Sequence, residues 1–152
     1  MRGLLIFSLL AVLIACSDDV YYEQSFDLAE GQWSYDDQAT FAFEIEDVED
    51  YFDLVLDLKH SADYVFENVY VQMHTTFPSG ETVTDEVSLQ LADALDQWEG
   101  QCNQSTCEVS ILLQNRVRFK EVGEYELAIE QYNRQNPLPG IESLTLKIIA
   151  LP

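Results

Sequence analysis

Apolar side chains recur at every second position along seven separate stretches of this chain, a period that suits strands and does not suit helices. Phe41, Phe43 and Ile45 alternate with Ala42, Glu44 and Glu46, and Phe52, Leu54, Leu56 and Leu58 alternate with Asp53, Val55, Asp57 and Lys59. The pattern returns in Val69, Val71, Met73; in Val87, Leu89, Leu91; in Val109, Ile111, Leu113; in Tyr125, Leu127, Ile129; and in Leu144, Leu146, Ile148. Turn residues separate these runs, notably Pro78-Ser79-Gly80, Glu121-Val122-Gly123 and Asn136-Pro137-Leu138-Pro139-Gly140. Strands with one apolar face each must bury those faces against one another. Seven or eight of them, antiparallel, predict an all-β fold: a two-sheet β-sandwich. Only Leu89 to Trp98 also shows helical spacing, through Leu91, Leu95 and Trp98, so at most one short helix is expected, before Cys102.

The first fifteen residues follow a different rule. Met1-Arg2-Gly3 carries one positive charge, and Leu4 to Ala15 is apolar apart from Ser8. A bilayer span needs about 20 apolar residues, so this stretch is expected to be a signal peptide that is cleaved and not a permanent anchor. Leu13-Ile14-Ala15-Cys16 resembles the bacterial lipobox, in which a small residue precedes the acceptor cysteine. A thiolate is the side chain able to take a diacylglycerol as a thioether, which makes Cys16 the expected lipidation site. Each buried methylene of an acyl chain contributes about 0.8 kcal/mol, so two or three chains hold a protein on a bilayer durably. Residues 16–21, with Ser17-Asp18-Asp19, read as a charged tether, and 22–152 as the folded domain. The acidic pair also resembles the surface-export signal of Bacteroidetes lipoproteins. The expected location is the cell envelope, lipid-anchored, at the outer membrane, facing the periplasm or the surface.

Removing fifteen of the 152 residues leaves 137, enough for one domain with a real core. Losing Arg2 turns the formal charge of −21 into −22 and leaves six cationic side chains against 28 acidic ones. Such a charge repels nucleic acid and anionic headgroups and favours cationic partners or Ca²⁺. It does not imply disorder, because 47% of the residues are hydrophobic.

With Cys16 assigned to lipid, Cys102 and Cys107 are left as a pair in an oxidising compartment and are expected to form a disulfide. Zinc is the rival, but no second Cys or His lies nearby and only His60 and His74 could complete four ligands. The sequon Asn103-Gln104-Ser105 carries little weight behind a bacterial lipobox.

The sequence holds no nucleophile elbow, His-Glu-x-x-His pair, phosphate-binding glycine loop or EF-hand loop, so no catalytic residue, metal ligand or cofactor is assigned. Alternation puts Glu44, Glu46, Asp53 and Asp57 on a solvated strand face, and His60 and His74 read as ordinary surface histidines. Arg116, Arg118 and Lys120, half of the mature cations, alternate with Val117 and Phe119 as if on one strand and point outward together. Either they pair with neighbouring carboxylates or they form a strip that docks an acidic partner.

Several phrases, in order and spacing, complete the reading. Thr75-Thr76-Phe77-Pro78-Ser79-Gly80, Leu91-Ala92-Asp93 before Trp98-Glu99-Gly100, Val117-Arg118-Phe119 with Gly123-Glu124-Tyr125, and Asn136-Pro137-Leu138-Pro139-Gly140-Ile141 resemble the GldH-type gliding motility lipoproteins of Bacteroidetes. The resemblance runs from about Tyr22 to Ile149 and leaves out the Cys102–Cys107 loop. It implies a non-enzymatic component of gliding that works with other envelope proteins of the gliding and type IX secretion apparatus, and it supplies no catalytic residues. The competing function is a surface glycan-binding β-sandwich, suggested by 12% aromatic residues and an acidic surface suited to Ca²⁺; an exposed coplanar row of Trp or Tyr would separate the two readings.

Because the acyl group is expected on Cys16 alone, Cys16→Ala should move the protein from the membrane fraction to the soluble fraction on cell fractionation. A variant that stays firmly with the membranes would show that the anchor lies elsewhere.

Overall fold

A computed structural model describes residues 19–152; the stretch expected to be a signal peptide, 1–15, and the expected lipidation site Cys16 lie outside the described residues. The chain forms β1 (Asp19–Asp27), a 3-10 turn (Ala29–Gly31), β2 (Gln32–Trp33), β3 (Ala39–Ile45), β4 (Tyr51–Ser61), β5 (Asn68–Thr76) and β6 (Thr82–Gln90). These are followed by β7 (Gln101–Cys102), β8 (Thr106–Val117), β9 (Gly123–Gln131), β10 (Leu138–Pro139) and β11 (Ile141–Leu151). Eight of these strands are long and three are two-residue pairs. One sheet has the order β1-β11-β4-β8-β7 and the other β3-β9-β5-β6, while β2 pairs with β10. Every pairing is antiparallel, although only β5–β6 and β7–β8 join strands that are consecutive in the chain. The all-β sandwich expected from the alternation is the fold observed.

The alternating positions make the core. Leu56 on β4 stands opposite Leu146 on β11 and Ile111 on β8, and Leu58 opposite Leu144 and Val109. In the second sheet Phe41 faces Leu127, Ile129 faces Met73, and Val71 faces Val87. The inner rows of the two sheets form one continuous apolar cluster with Trp33, Tyr125 and Leu138. Burying each large aliphatic side chain is worth roughly 1.5–3 kcal/mol, so this layer holds the two sheets together.

The registers fix two ends. Asp19 pairs with Ala150, which pairs with Phe52, which pairs with Val117, and Ile45 pairs with Gly123. The start of β1 and the loops 46–50 and 118–122 therefore share one end, called here the N-terminal end. The loops 62–67, 91–100 and 132–137 share the opposite end. There the segment 91–100 crosses from β6 to β7, and Gly100 makes the crossing possible. Its φ is +81°, and a Cβ would lie 2.0 Å from the Glu108 carbonyl oxygen.

Several expectations need correction. Pairing begins at Asp19, so Asp19, Val20 and Tyr21, read as tether, are strand residues. Leu89–Trp98 forms no helix: β6 ends at Gln90, Ala92 bridges Trp98, and Asp93 Oδ1 accepts the N–H groups of Leu95 and Gln97 to close a turn. Leu95 is exposed, so its helical spacing to Leu91 carried no packing meaning. The short helical element is instead the 3-10 turn at Ala29–Gly31.

Asp57 lies on the outward face as alternation requires, yet it is buried, because β4 is the central strand and neighbours on both sides cover it. Its carboxylate pairs with Lys147 Nζ at 2.6 Å and accepts a hydrogen bond from Ser110 Oγ. That bond raises the Lys147 pKa above the ordinary lysine value.

His60 is also not a surface residue. It is completely buried near the end of β4, its ring centroid 4.7 Å from that of Trp98 and 5.8 Å from that of Tyr64. Nδ1–H donates to the Ser61 carbonyl at 2.9 Å, and Nε2 has no hydrogen-bond partner. A lone pair in that setting fits the neutral imidazole, and a proton added there would find no acceptor. Burial lowers the His60 pKa, against smaller upward pulls from Ser61 and the Glu142 charge.

This depression has a stability consequence. As pH falls through about 6.5, the unfolded chain takes up a proton on His60 that the folded chain refuses, so stability falls with pH from there down to the folded-state pKa. Urea unfolding of the wild type and of His60→Phe at about pH 7.5 and pH 5.5 checks this, the variant being expected to lose less stability between the two. Equal losses would mean that His60 does not titrate differently on folding.

Candidate functional site

The three cations singled out in the sequence do gather at one place, but not on one strand. β8 ends at Val117, and its pairing with β4 is irregular between Phe52 and Val55. Arg116 adopts a φ of +48°, and its N–H donates to Asp53 Oδ1 at 2.7 Å. Arg118 and Lys120 follow in the turn toward β9. The irregularity was invisible in the sequence because Val117 and Phe119 continue the apolar alternation and both pack against the core.

All three side chains are exposed at the N-terminal end. The guanidinium carbons of Arg116 and Arg118 lie 5.0 and 5.4 Å from the centroid of the Tyr51 ring, within cation–π range. Arg118 also pairs with Glu49 at 2.8 Å and donates from Nε to the Val48 carbonyl. Among the described residues neither Arg116 nor Lys120 makes an ion pair, whereas Lys59 and Lys147 pair with Glu142 and Asp57. The carboxylate-pairing alternative thus accounts for Arg118 and not for the other two.

Arg118 and Lys120 stand at the mouth of an open cleft of about 700 Å³ between β6 and β8, the two strands whose outer edges are largely unpaired. Met73, Val87, Ile111 and Leu113 line it, and Asp85 takes an inward position of β6 opposite Met73. The sequence shows these as ordinary core positions. What it does not show is that the segment 91–100 covers this edge only at the opposite end, so the cleft stays open where the cations lie.

The remaining residues named from the sequence fall elsewhere. Cys102 and Cys107 are directly opposite each other on β7 and β8 and are joined by a disulfide, with Cα atoms 4.0 Å apart, at the end remote from the cations. Glu44 and Glu46 are exposed, while Asp53 is committed to the Arg116 backbone. His74 lies half-buried on the outer face of β5, between Thr84 Oγ1 at 2.8 Å and Glu130 Oε1 at 3.1 Å. Among the described residues no three His, Cys, Asp or Glu side chains are grouped to hold a metal ion. No described helix is long and apolar enough to cross a membrane. Among the described residues the arrangement offers surfaces for binding, a cationic end and an open apolar cleft; one carboxyl pair, Glu67 with Asp96, which raises the Glu67 pKa, lies on loops at the opposite end.

The sequence model of the GldH lipoprotein family matches residues 20–148, which takes in the sandwich from β1 to β11. The Gliding motility lipoprotein GldH homolog of Christiangramia forsetii is 25% identical over 114 residues, covering 74% of this chain and 70% of that protein. The Gliding motility lipoprotein GldH of Flavobacterium johnsoniae is 26% identical over 137 residues, covering 90% of this chain and 85% of its own. With the match running through all eight long strands, the chain belongs to the GldH lipoprotein family.

Proposed function

We propose that this protein is a lipid-anchored, non-enzymatic interaction component of the gliding machinery, held at the outer membrane through acylated Cys16 and docking an acidic envelope partner through Arg116, Arg118 and Lys120. The family membership and the names of its relatives support the gliding role. The link to type IX secretion comes from the resemblance alone and is part of the proposal. One observation carries the docking site: the exposed, incompletely paired cations of a chain with a formal charge of −21 cluster at the end where β1 begins.

Cys16 precedes Asp19 by three residues, a reach of about 10 Å at most. An acylated Cys16 would bring that end of the sandwich close to the bilayer, and with it the cations and the mouth of the cleft. A partner meeting this surface is then itself membrane-bound or membrane-adjacent. The surrounding carboxylates, Glu46, Asp47, Glu49 and Asp50 among them, disfavour anionic headgroups as the docking partner and leave a protein with its own acidic groups aimed at Arg116 and Lys120.

Reversing Arg116, Arg118 and Lys120 to Glu should stop gliding while the domain still folds. All three side chains are exposed, and the reversal removes the Arg118–Glu49 pair and two contacts to Tyr51, so a loss of roughly 1–3 kcal/mol is expected with the fold retained. Chemical denaturation of the purified variant and the spreading of cells that carry it read the two effects separately. Cells that glide normally with a well-folded triple variant would remove the docking role.

A further inference from the structure

We infer that the end of the sandwich opposite the cations carries a binding site for a neutral polysaccharide, built on Tyr70, Tyr132 and Phe66. Six aromatic side chains of the described chain are exposed; Tyr21 and Tyr51 lie at the N-terminal end, and Tyr35, Phe66, Tyr70 and Tyr132 at the other. Phe66, Tyr70 and Tyr132 line one open groove of about 740 Å³ on the outer face of the four-stranded sheet, and they are 43%, 52% and 53% exposed. Singly exposed rings are ordinary on a protein surface; three lining one groove form a contiguous apolar patch of the kind that marks a binding surface.

The backbone that carries both tyrosines is tied into one hydrogen-bonded frame. Asn133 acts as an extra piece of strand beside Tyr70: its Oδ1 accepts the Tyr70 N–H at 3.2 Å and its Nδ2 donates to the Tyr70 carbonyl at 3.1 Å. The Tyr132 N–H donates to the same carbonyl at 2.7 Å. Asn133 is itself held by Gln131, which is buried and whose Oε1 accepts the Asn133 N–H at 2.9 Å, and by the Tyr35 hydroxyl, which donates to its carbonyl. Both tyrosines are thus fixed to one frame, and a ligand meets rings whose backbone needs no further ordering.

The chemistry beside the rings selects the ligand. Glu86 and Arg134 line the same groove, one acceptor and one donor for hydroxyl groups, with charges that cancel. A pyranose ring offers an apolar C–H face to an aromatic ring and hydroxyls at its rim, which this combination matches. The overall charge of −21 repels acidic polysaccharides and leaves neutral ones. A glucan with equatorial hydroxyls has the flattest C–H faces and is the best fit.

This site stands independently of the gliding role and of the cationic end, and its test separates them. The full chain, extracted from membranes in mild detergent, is run on native gels containing hydroxyethyl cellulose, laminarin or alginate. Retardation is expected in at least one of the two neutral glucans and not in alginate. Tyr70→Ala with Tyr132→Ala should weaken it about tenfold, and Glu86→Ala with Arg134→Ala should also weaken it, while Tyr51→Ala at the other end leaves it unchanged. Unchanged thermal unfolding shows that the variants fold. No retardation by either glucan, equal retardation by alginate, or retardation untouched by both double variants would overturn the assignment. So would loss of a co-purifying envelope protein in the tyrosine variant with no glucan effect, which would give the groove to a protein partner.

Discussion

The inner face of β4 is the surface on which the rest of the domain is assembled. Phe52, Leu54, Leu56 and Leu58 occupy its alternate positions and are all buried, and they belong to one core with Phe41, Val71 and Ile129 of the facing sheet. β4 is also the centre of its own sheet, with β11 on one side and β8 on the other. That double role gives the two faces different chemistry. The inner face is apolar from Phe52 to Leu58, whereas the outer face has to bury Asp57, which is tolerated because Lys147 and Ser110 supply its partners from the flanking strands. Where β4 ends, His60 is enclosed by Trp98 and Tyr64. Where β4 begins, its irregular pairing with β8 turns Arg116 out toward solvent. Core, buried pair and cationic end all follow from one strand's position.

The part of this that was legible in the sequence is the part governed by period two. Seven of the eight long strands stand out because runs of their inner residues are Leu, Ile, Val, Phe, Tyr or Met, although β6 also carries Asp85 and β9 Gln131 at inner positions. The eighth, β1, does not, since it is an edge strand whose half-buried residues are only Tyr22 and Phe26, with Gln24 at the inner position between them. Burial on the outer face was illegible for a related reason. Alternation says which way Asp57 points, but only the strand order says that neighbours cover it, and strand order is a property of the whole chain. The burial of His60 is illegible in the same way, since Trp98 and Tyr64 arrive from loops. The cations were seen as a group because their spacing is regular, but the break that ends β8 at Val117 leaves no mark in an apolar pattern that runs on to Phe119. The aromatic groove had one visible trace, a tyrosine at position 70 on the polar side of an otherwise alternating strand.

The two proposed surfaces divide the molecule along its strands. Arg116, Arg118 and Lys120 cluster where β1 begins, with the open mouth of the β6–β8 cleft beside them. Tyr70 and Tyr132 lie at the other extremity, stiffened by Asn133 and Gln131. Strands of eleven residues, as in β4 and β11, span about 35 Å, so a ligand on one surface is beyond direct electrostatic reach of the other at physiological salt. A rigid sandwich of this kind suits a protein that has one set of contacts at the membrane and another away from it.

That orientation is the central claim, and it can be measured directly. A fluorophore placed on Val122→Cys reports the N-terminal end and one on Gln135→Cys reports the other, in the lipid-anchored protein reconstituted into vesicles that carry headgroup quenchers. With Cys16 holding the N-terminal end near the bilayer, the label at 122 should be strongly quenched. The label at 135, about 30 Å or more farther out, should be nearly unaffected. Equal quenching of the two labels, or stronger quenching at 135, would contradict the orientation and with it the assignment of the cationic end to the membrane side.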